Sequence, residues 1–186
     1  MSKSKAMGMV FESFDPLRWK EWSSGVLSLE RAETLRNALL WDEQGKAPAA
    51  LVDRIAAIGI EATYRELPEA EHPQLDALVI KLFSPEGLES ELDVRAYSDP
   101  LNRKAIDALD TGSQVAQLLL TGRRLATNAG TTEARYVVYT PDEALQLAAE
   151  LEQAARKAGI FEELGPAMAE LKEDARAGRS VVARFS

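Results

Sequence analysis

Carboxylates outnumber the other charged side chains in this sequence, and one short run concentrates them. The segment EGLESELD supplies four, at Glu86, Glu89, Glu91 and Asp93. Asp and Glu can bind a metal ion, or serve as the acid and base of a glycosidase, without a histidine. This spacing matches no calcium loop, because the alternating aspartates and central glycine of such a loop are missing. Solvated acids are therefore the preferred interpretation, with a metal or glycosidase site as the alternative.

The single histidine, His72, lies in EAEHPQL, between acidic residues and a proline. This setting predicts a surface loop, with a pH-sensitive contact as the alternative. A Ser-His-Asp hydrolase would need a serine in a tight G-x-S-x-G turn, and TGSQV around Ser113 lacks the second glycine. Neither glycine motif for phosphate binding occurs. The sequence thus disfavours serine hydrolases and nucleotide-binding enzymes.

Three arginines form the remaining candidate site. Arg123, Arg124 and Arg135 could cluster and hold an anion, although arginines at a helix end are commonly partners of the helix dipole. The three tryptophans, Trp19, Trp22 and Trp41, are interpreted as anchors of the core rather than a ligand cage. No cofactor or metal site is predicted.

Composition restricts the function further. The 186 residues contain no cysteine, which excludes disulfides, thiolate metal sites and cysteine nucleophiles. A net charge of −8 disfavours a duplex nucleic-acid binder, which needs a concentrated basic face. The amino-terminal segment MSKSKAMGMVFESFDP has no apolar run of signal-peptide length, and no stretch approaches eighteen apolar residues. We therefore expect a cytoplasmic protein with no membrane partner.

The negative charge is concentrated in the middle of the chain. Residues 61–99 contain ten acidic residues against three basic ones, a net charge of −7 out of the total of −8. Charge asymmetry of this kind is typical of an interaction surface. The residues proposed to bind a partner are Glu66, Glu69, Glu71, Glu86, Glu89, Glu91 and Asp93.

Capping residues, prolines and glycines predict where the helices of this chain begin and end. Asp15 with Pro16, and Asp99 with Pro100, combine an N-cap with a proline at the first helical position. Helical spacing in SLERAETLRNALLW and in APAALVDRIAAIG predicts two further helices, the second ending at Gly59. In SQVAQLLLTG, Ser113 is the expected cap and Gly122 the expected stop.

The segment ARYVVYTPDEALQLAAELEQA predicts a strand followed by a long helix. Thr140 is the expected N-cap, Pro141 the first helical residue, and Glu143 completes a capping box. Gly159 is the expected stop. Architecture thus accounts for this stretch without any chemistry. After it, PAMAELKEDARAG predicts another helix and SVVARF a short terminal strand.

The middle of the chain looks different. IEATYREL, ALVIKLFSP and ELDVRAYSDP are rich in β-branched or aromatic residues, or alternate in polarity, and are bounded by prolines. They predict three antiparallel strands, with the acidic residues in the loops and on the solvent-exposed face of the sheet. The predicted fold is α+β: about six helices around a small, mainly antiparallel sheet. Residues 1–6 are a predicted flexible tail, and 7–186 a single domain with an acidic, β-rich segment at 60–99.

Three segments in order resemble the YfbM-like family, a bacterial domain of unknown function. They are MGMVFES (7–13), LDTGSQVAQLLLTG (109–122) and ARYVVYTPDEALQLAAEL (134–151). The matching positions are Leu119, Leu120, Thr121, Gly122, Arg135, Tyr136, Pro141 and Glu143. Ser113 departs from the family pattern, which has a tryptophan there. The resemblance implies an α+β cytoplasmic protein of bacterial origin and supplies no established activity or catalytic residues.

Three functions follow as hypotheses. The first is a non-enzymatic protein-binding module, such as an immunity or antitoxin-like protein that blocks a basic partner. An acidic surface would steer such a partner to its binding site. The second is a small enzyme or ligand-binding protein that uses carboxylates and the three arginines on an anionic or sugar-like substrate. The third is a structural subunit of a larger assembly. The shortage of catalytic residue types favours the first.

Overall fold

The computed structural model describes residues 9–24, 26–28, 30, 33, 49–81, 92–96, 103–110, 112–124 and 136–185. Its chain divides into two compact units. Unit 1 comprises Met1–Phe14, Arg95–Arg123 and Arg135–Ser186, and unit 2 comprises Asp15–Val94 and Arg124–Ala134. The prediction of one domain over 7–186 stays a prediction.

The described residues include four strands and eight α-helices, a mixed composition that confirms the α+β class. In chain order they are β1 (Met9–Phe14), α1 (Pro16–Ser23), α2 (Ala49–Ile58), α3 (Ile60–Glu66), a 3-10 turn (Glu69–Glu71), α4 (His72–Lys81), β2 (Arg95–Ala96), α5 (Arg103–Asp107), α6 (Gln114–Thr121), β3 (Tyr136–Tyr139), α7 (Pro141–Ala158), α8 (Phe161–Arg176) and β4 (Ser180–Phe185).

Unit 1 contains the sheet, in the order β2-β1-β4-β3. Every pairing within it is antiparallel. Strand β1 is not predicted by the sequence patterns, because the acidic Glu12 interrupts its apolar run. In the fold Glu12 is buried, and its carboxylate accepts a hydrogen bond from Arg184 on β4 at 2.7 Å. A buried charge of this kind is tolerated because it is paired.

One face of the sheet packs on the helices of unit 1. Phe11, Val137 and Val181 belong to the same buried cluster as the apolar side of α7 and α8. Helix α7 has every predicted boundary feature: the Thr140–Glu143 capping box is formed, and Gly159 ends the helix in the left-handed conformation at φ +71°. Helix α6 likewise begins at the predicted cap Ser113 and ends at Gly122.

Unit 2 contains α1 to α4. Asp15 caps α1 as predicted, accepting a hydrogen bond from the backbone of Leu17 at 2.9 Å. Trp19 and Trp22 are buried, in agreement with their predicted role, whereas Trp41 lies outside the described residues. Helix α2 ends before Gly59, whose φ of +85° suits glycine. The predicted helix over SLERAETLRNALLW and the predicted start at Asp99 also lie largely or wholly outside the described residues.

Two predicted strands are wrong. IEATYREL forms helix α3, and the described part of ALVIKLFSP belongs to helix α4. The physical reason is visible in α3, whose buried side chains are Ile60, Thr63 and Tyr64, followed by Leu67. This is the i, i+3, i+4, i+7 spacing of a helix, and it overrides the β propensity of the individual residues. Residues 60–81 of the acidic middle therefore belong to the helical pair α3 and α4 and the 3-10 turn between them, not to the sheet.

In the described part of the third predicted strand, residues 92–96, the strand is β2. Its two residues, Arg95 and Ala96, pair with Ser13 and Glu12 of β1. No helix among the described residues is long and apolar enough to cross a membrane.

Candidate functional site

Of the four predicted partner-binding carboxylates that the structure describes, three lie at one turn of unit 2. Glu66 is the last residue of α3, and Glu69 and Glu71 belong to the 3-10 turn that leads into α4. All three are exposed. We call these three residues the acidic turn. Glu86, Glu89 and Glu91 lie outside the described residues.

Asp93 has a different setting from the acidic turn. It is half-buried, and its backbone adopts a left-handed conformation at φ +51°. Aspartate tolerates this region better than most residues because its short polar side chain bonds locally. The described surroundings of Asp93 thus explain this residue by backbone geometry.

The charge of the acidic turn is partly balanced at one end. Arg54 of α2 donates a hydrogen bond to Glu66 at 2.7 Å, and both side chains are largely exposed. Exposed ion pairs of this kind contribute about 0–1 kcal/mol, because water screens both partners. Glu69 and Glu71 are the outermost carboxylates of the turn.

A buried ionic group stands between the two helices that flank the acidic turn. Asp76 of α4 is completely buried and accepts a hydrogen bond from the Tyr64 hydroxyl of α3 at 2.6 Å. The Arg124 Nε lies 2.9 and 3.1 Å from its two carboxylate oxygens. The Arg124 guanidinium also lies 5.7 Å from the centre of the Tyr64 ring, a cation–π distance. We call Tyr64, Asp76 and Arg124 the Asp76 cluster.

His72 also links the end of α3 to α4. The prediction of a surface loop is wrong for this residue: it is the first residue of α4 and is half-buried. Its Nε2 lies 2.9 Å from the carbonyl oxygen of Tyr64 and 3.2 Å from that of Leu67. Carbonyl oxygens only accept, so Nε2 is the protonated nitrogen and donates to the end of α3. The last carbonyl oxygens of a helix generally lack an intrahelical donor, and His72 supplies a donor at this end of α3.

The consequence of these contacts is a rigid turn. Tyr64, His72 and Asp76 each link α3 to α4 on either side of Glu66, Glu69 and Glu71. A side chain presented from a fixed backbone loses less conformational entropy on binding than one presented from a mobile loop. The acidic turn is therefore a preorganised set of exposed carboxylates.

The three arginines of the predicted anion site have separate outcomes. In unit 1, Arg123 donates to the carbonyl oxygen of Val138 at 2.9 Å and to Glu143 at 3.0 Å. Arg124 binds Asp76 in unit 2, and Arg135 lies outside the described residues. Both described guanidiniums are thus already engaged by protein carboxylates.

Unit 1 contains a second buried ionic group, which the sequence patterns give no sign of. Asp174, near the end of α8, accepts a hydrogen bond from the Ser13 hydroxyl of β1 at 2.5 Å and one from Arg95 of β2 at 3.0 Å. Arg179 lies 3.8 Å from the same carboxylate and donates to Ser13 Oγ at 3.0 Å. We call Ser13, Arg95, Asp174 and Arg179 the Asp174 cluster. Its members are separated by up to 166 positions in sequence, so no local motif could reveal it.

The remaining buried hydroxyl of interest is Tyr139, on β3. It donates to the carbonyl oxygen of Val115 at 2.9 Å. Burial raises the pKa of Tyr139 far above its ordinary range. The phenol therefore remains a neutral hydrogen-bond donor that ties β3 to α6, not an acid or base for catalysis.

The chain matches no protein-family model, no curated protein and no solved structure. The resemblance to the YfbM-like family stays a prediction. Among the described residues, His, Asp and Glu side chains form no group of three or more that could hold a metal ion.

Proposed function

We propose that this protein is a non-enzymatic binding module that docks a basic protein through its acidic turn, in the manner of an immunity or antitoxin-like protein. The observation that carries the proposal is the combination of three exposed carboxylates with the buried contacts that fix the backbone presenting them. An acidic surface accelerates encounter with a basic partner and disfavours acidic ones.

The setting of the acidic turn supports this function over the enzymatic alternative. Glu69 and Glu71 are exposed on the 3-10 turn between two helices, whereas a small-molecule site buries its ligand in a concave, largely apolar pocket. Arg123 and Arg124, which the alternative would use for an anionic or sugar-like substrate, each hold a carboxylate of the protein itself. A structural subunit of a larger assembly is a third possibility, to be recognised by obligate oligomerisation.

The test is affinity capture followed by titration of the purified captured partner. One variant carries Glu66→Lys, Glu69→Lys and Glu71→Lys. The matched control carries Glu163→Lys, Glu170→Lys and Glu173→Lys, three exposed glutamates of α8 in unit 1. Both variants change the net charge by the same amount, so a difference between them reports position rather than total charge.

We expect the acidic-turn variant to lose the partner and the α8 variant to retain it. The association rate of the wild-type protein should fall as salt is raised, because exposed charges steer the encounter. Equal binding by the two variants, with both folded by circular dichroism, would exclude the acidic turn as the docking surface.

A further inference from the structure

Strand β3 ends the sheet of unit 1. Its one strand neighbour in the sheet order is β4, which pairs with it from Tyr136 to Tyr139. An edge strand carries backbone groups that can pair with the edge of another molecule. The sequence of β3, YVVY, favours such pairing, because it is uncharged and rich in β-forming residues.

Arg123 occupies the open side of this strand. Its backbone forms an isolated parallel bridge with Val137, and its carbonyl oxygen accepts the Val138 N–H at 3.2 Å. The guanidinium then folds back to the same strand, where Nε donates to the Val138 carbonyl oxygen at 2.9 Å and a terminal nitrogen donates to it at 2.5 Å. One residue therefore engages both backbone polar groups of Val138.

The guanidinium is itself held in place. Both of its terminal nitrogens donate to Glu143, which closes the capping box of α7 with Thr140. The hydrogen bond from Arg123 lowers the pKa of the Glu143 carboxyl, so the pair is charged at neutral pH. Bidentate arginine–carboxylate pairs are geometrically specific as well as strong. The start of a long helix thus fixes the side chain that covers the strand.

We propose that Arg123 is an edge guard: it blocks β3 from pairing, edge to edge, with β3 of a second copy of this chain. The ion pair with Glu143 contributes to the same end, because a second strand would have to displace a guanidinium that this carboxylate holds in place. This role explains why one side chain contacts a strand carbonyl and a helix-cap carboxylate at once, a combination that a simple surface ion pair does not need.

The test compares Arg123→Met with the wild-type protein. Methionine keeps an unbranched apolar stem of similar length and removes every side-chain donor. We expect Arg123→Met to fold and to self-associate as its concentration rises, measured by sedimentation equilibrium, while the wild-type mass stays constant over the same range. Glu143→Gln, which leaves Arg123 in place without its ionic partner, should associate more weakly than Arg123→Met.

The absence of cysteine allows the surface to be identified. Val138→Cys is introduced into the Arg123→Met protein, with Gln153→Cys, on the exposed side of α7, as the matched control. A short thiol-specific cross-linker should trap dimers through position 138 and not through position 153. Cross-linking that is equal at the two positions would place the association elsewhere and overturn the proposal.

A folded Arg123→Met protein whose mass equals that of the wild type at every concentration would also overturn it. If Arg123→Met does not fold, Arg123→Gln carries the test, because a single amide cannot reach both Val138 and Glu143. A folded Arg123→Gln protein of unchanged mass would then overturn the proposal in the same way.

Discussion

The two units of this chain contain buried aspartates with the same kinds of partner but different surroundings. Asp76 in unit 2 binds the Tyr64 hydroxyl and the guanidinium of Arg124, and all three side chains are buried. Asp174 in unit 1 binds the Ser13 hydroxyl and Arg95, whose side chain is 60% exposed. In unit 2 the positive charge is held away from water, whereas in unit 1 part of it stays hydrated.

This difference determines how much stability each unit should lose when its buried aspartate is replaced. Removing one partner of a buried ion pair leaves the other charged and poorly solvated, which costs far more than the pair itself contributes. In unit 1 the exposed Arg95 can be hydrated, and the buried Arg179 keeps its hydrogen bonds to Ser13, which reduces that cost. The Asp76 cluster should therefore be the more sensitive of the two to substitution.

The largest expected effect is that of Asp76→Asn. Because Arg124 would remain buried without its carboxylate, we expect a loss of about 3–5 kcal/mol in the free energy of unfolding. Asp174→Asn should lose less, on the order of 1–3 kcal/mol, since Arg95 is exposed to water and the buried Arg179 keeps its hydrogen bonds to Ser13. Urea unfolding followed by circular dichroism and by the fluorescence of the buried Trp19 and Trp22 measures both, with the exposed Glu170→Gln as the control. A larger loss for Asp174→Asn would contradict the comparison.

The next largest expected effect concerns the two hydroxyl groups that donate to the buried aspartates. Tyr64→Phe and Ser13→Ala each remove one hydrogen bond to a buried aspartate, and hydrogen bonds to charged groups contribute about 1.5–3 kcal/mol. We expect both variants to be destabilised within that range. A double-mutant cycle of Tyr64→Phe with Asp76→Asn should show strong non-additivity. Additive losses would mean that Tyr64 and Asp76 act separately.

A smaller effect concerns the backbone at Asp93. Its φ of +51° lies in the left-handed region, which β-branched residues avoid. Asp93→Val should cost about 1–2 kcal/mol of stability, whereas Asp93→Gly should be close to neutral, because glycine adopts this conformation without strain. Thermal unfolding of the two variants distinguishes this backbone role from a role in partner binding, for which both substitutions would remove the carboxylate equally.

The smallest effects separate the Arg123–Glu143 and Arg54–Glu66 ion pairs, and the effect at Glu143 depends on pH. The lowered pKa of Glu143 means that its stabilisation is complete above the ordinary glutamate value of 4.5 and is lost as the pH falls through the lowered value. We therefore expect Glu143→Gln to lose about 1 kcal/mol at pH 7, and the difference from wild type to shrink below pH 4.5.

Glu66→Gln is the matched variant in unit 2. Its partner Arg54 is largely exposed, so the loss at pH 7 should be under about 0.5 kcal/mol. Denaturant unfolding of both variants from pH 3 to 7 provides the measurement. A pH-independent difference for Glu143→Gln would indicate that the capping hydrogen bonds, and not the charge, stabilise this helix start.

The predictions that held share one property: the physical cause lies within a few residues. The capping box of Thr140 and Glu143, the cap at Asp15 and the glycine stop at Gly159 are local hydrogen-bonding or backbone requirements, and all are present in the fold. The two segments wrongly predicted as strands also contain a local signal for their true structure. In the first of them, the spacing of Ile60, Thr63, Tyr64 and Leu67 indicates a helix. Residue preference favours strands there and the period favours helices, and the period prevails in the fold.

No pattern of neighbouring residues in the sequence predicts the two buried ionic clusters. Asp76 meets a partner 48 residues away, and Asp174 meets partners 79 and 161 residues away. In the sequence, Asp76 is one acid among ten in an acidic segment, and nothing separates it from exposed neighbours such as Glu69. Only burial separates them, and burial depends on packing that involves distant segments.

By itself, the sequence determined the α+β composition, the boundaries of its capped helices and the surplus of negative charge in the middle of the chain. These follow from hydrogen-bonding requirements, side-chain periodicity and composition, which act locally. The tertiary structure decided which carboxylates stay in water and which are buried against an arginine, and it brought Arg123 to the edge of β3. Those choices depend on which distant segments share a core, because the free energy of a charge is set by its surroundings and not by its neighbours in sequence.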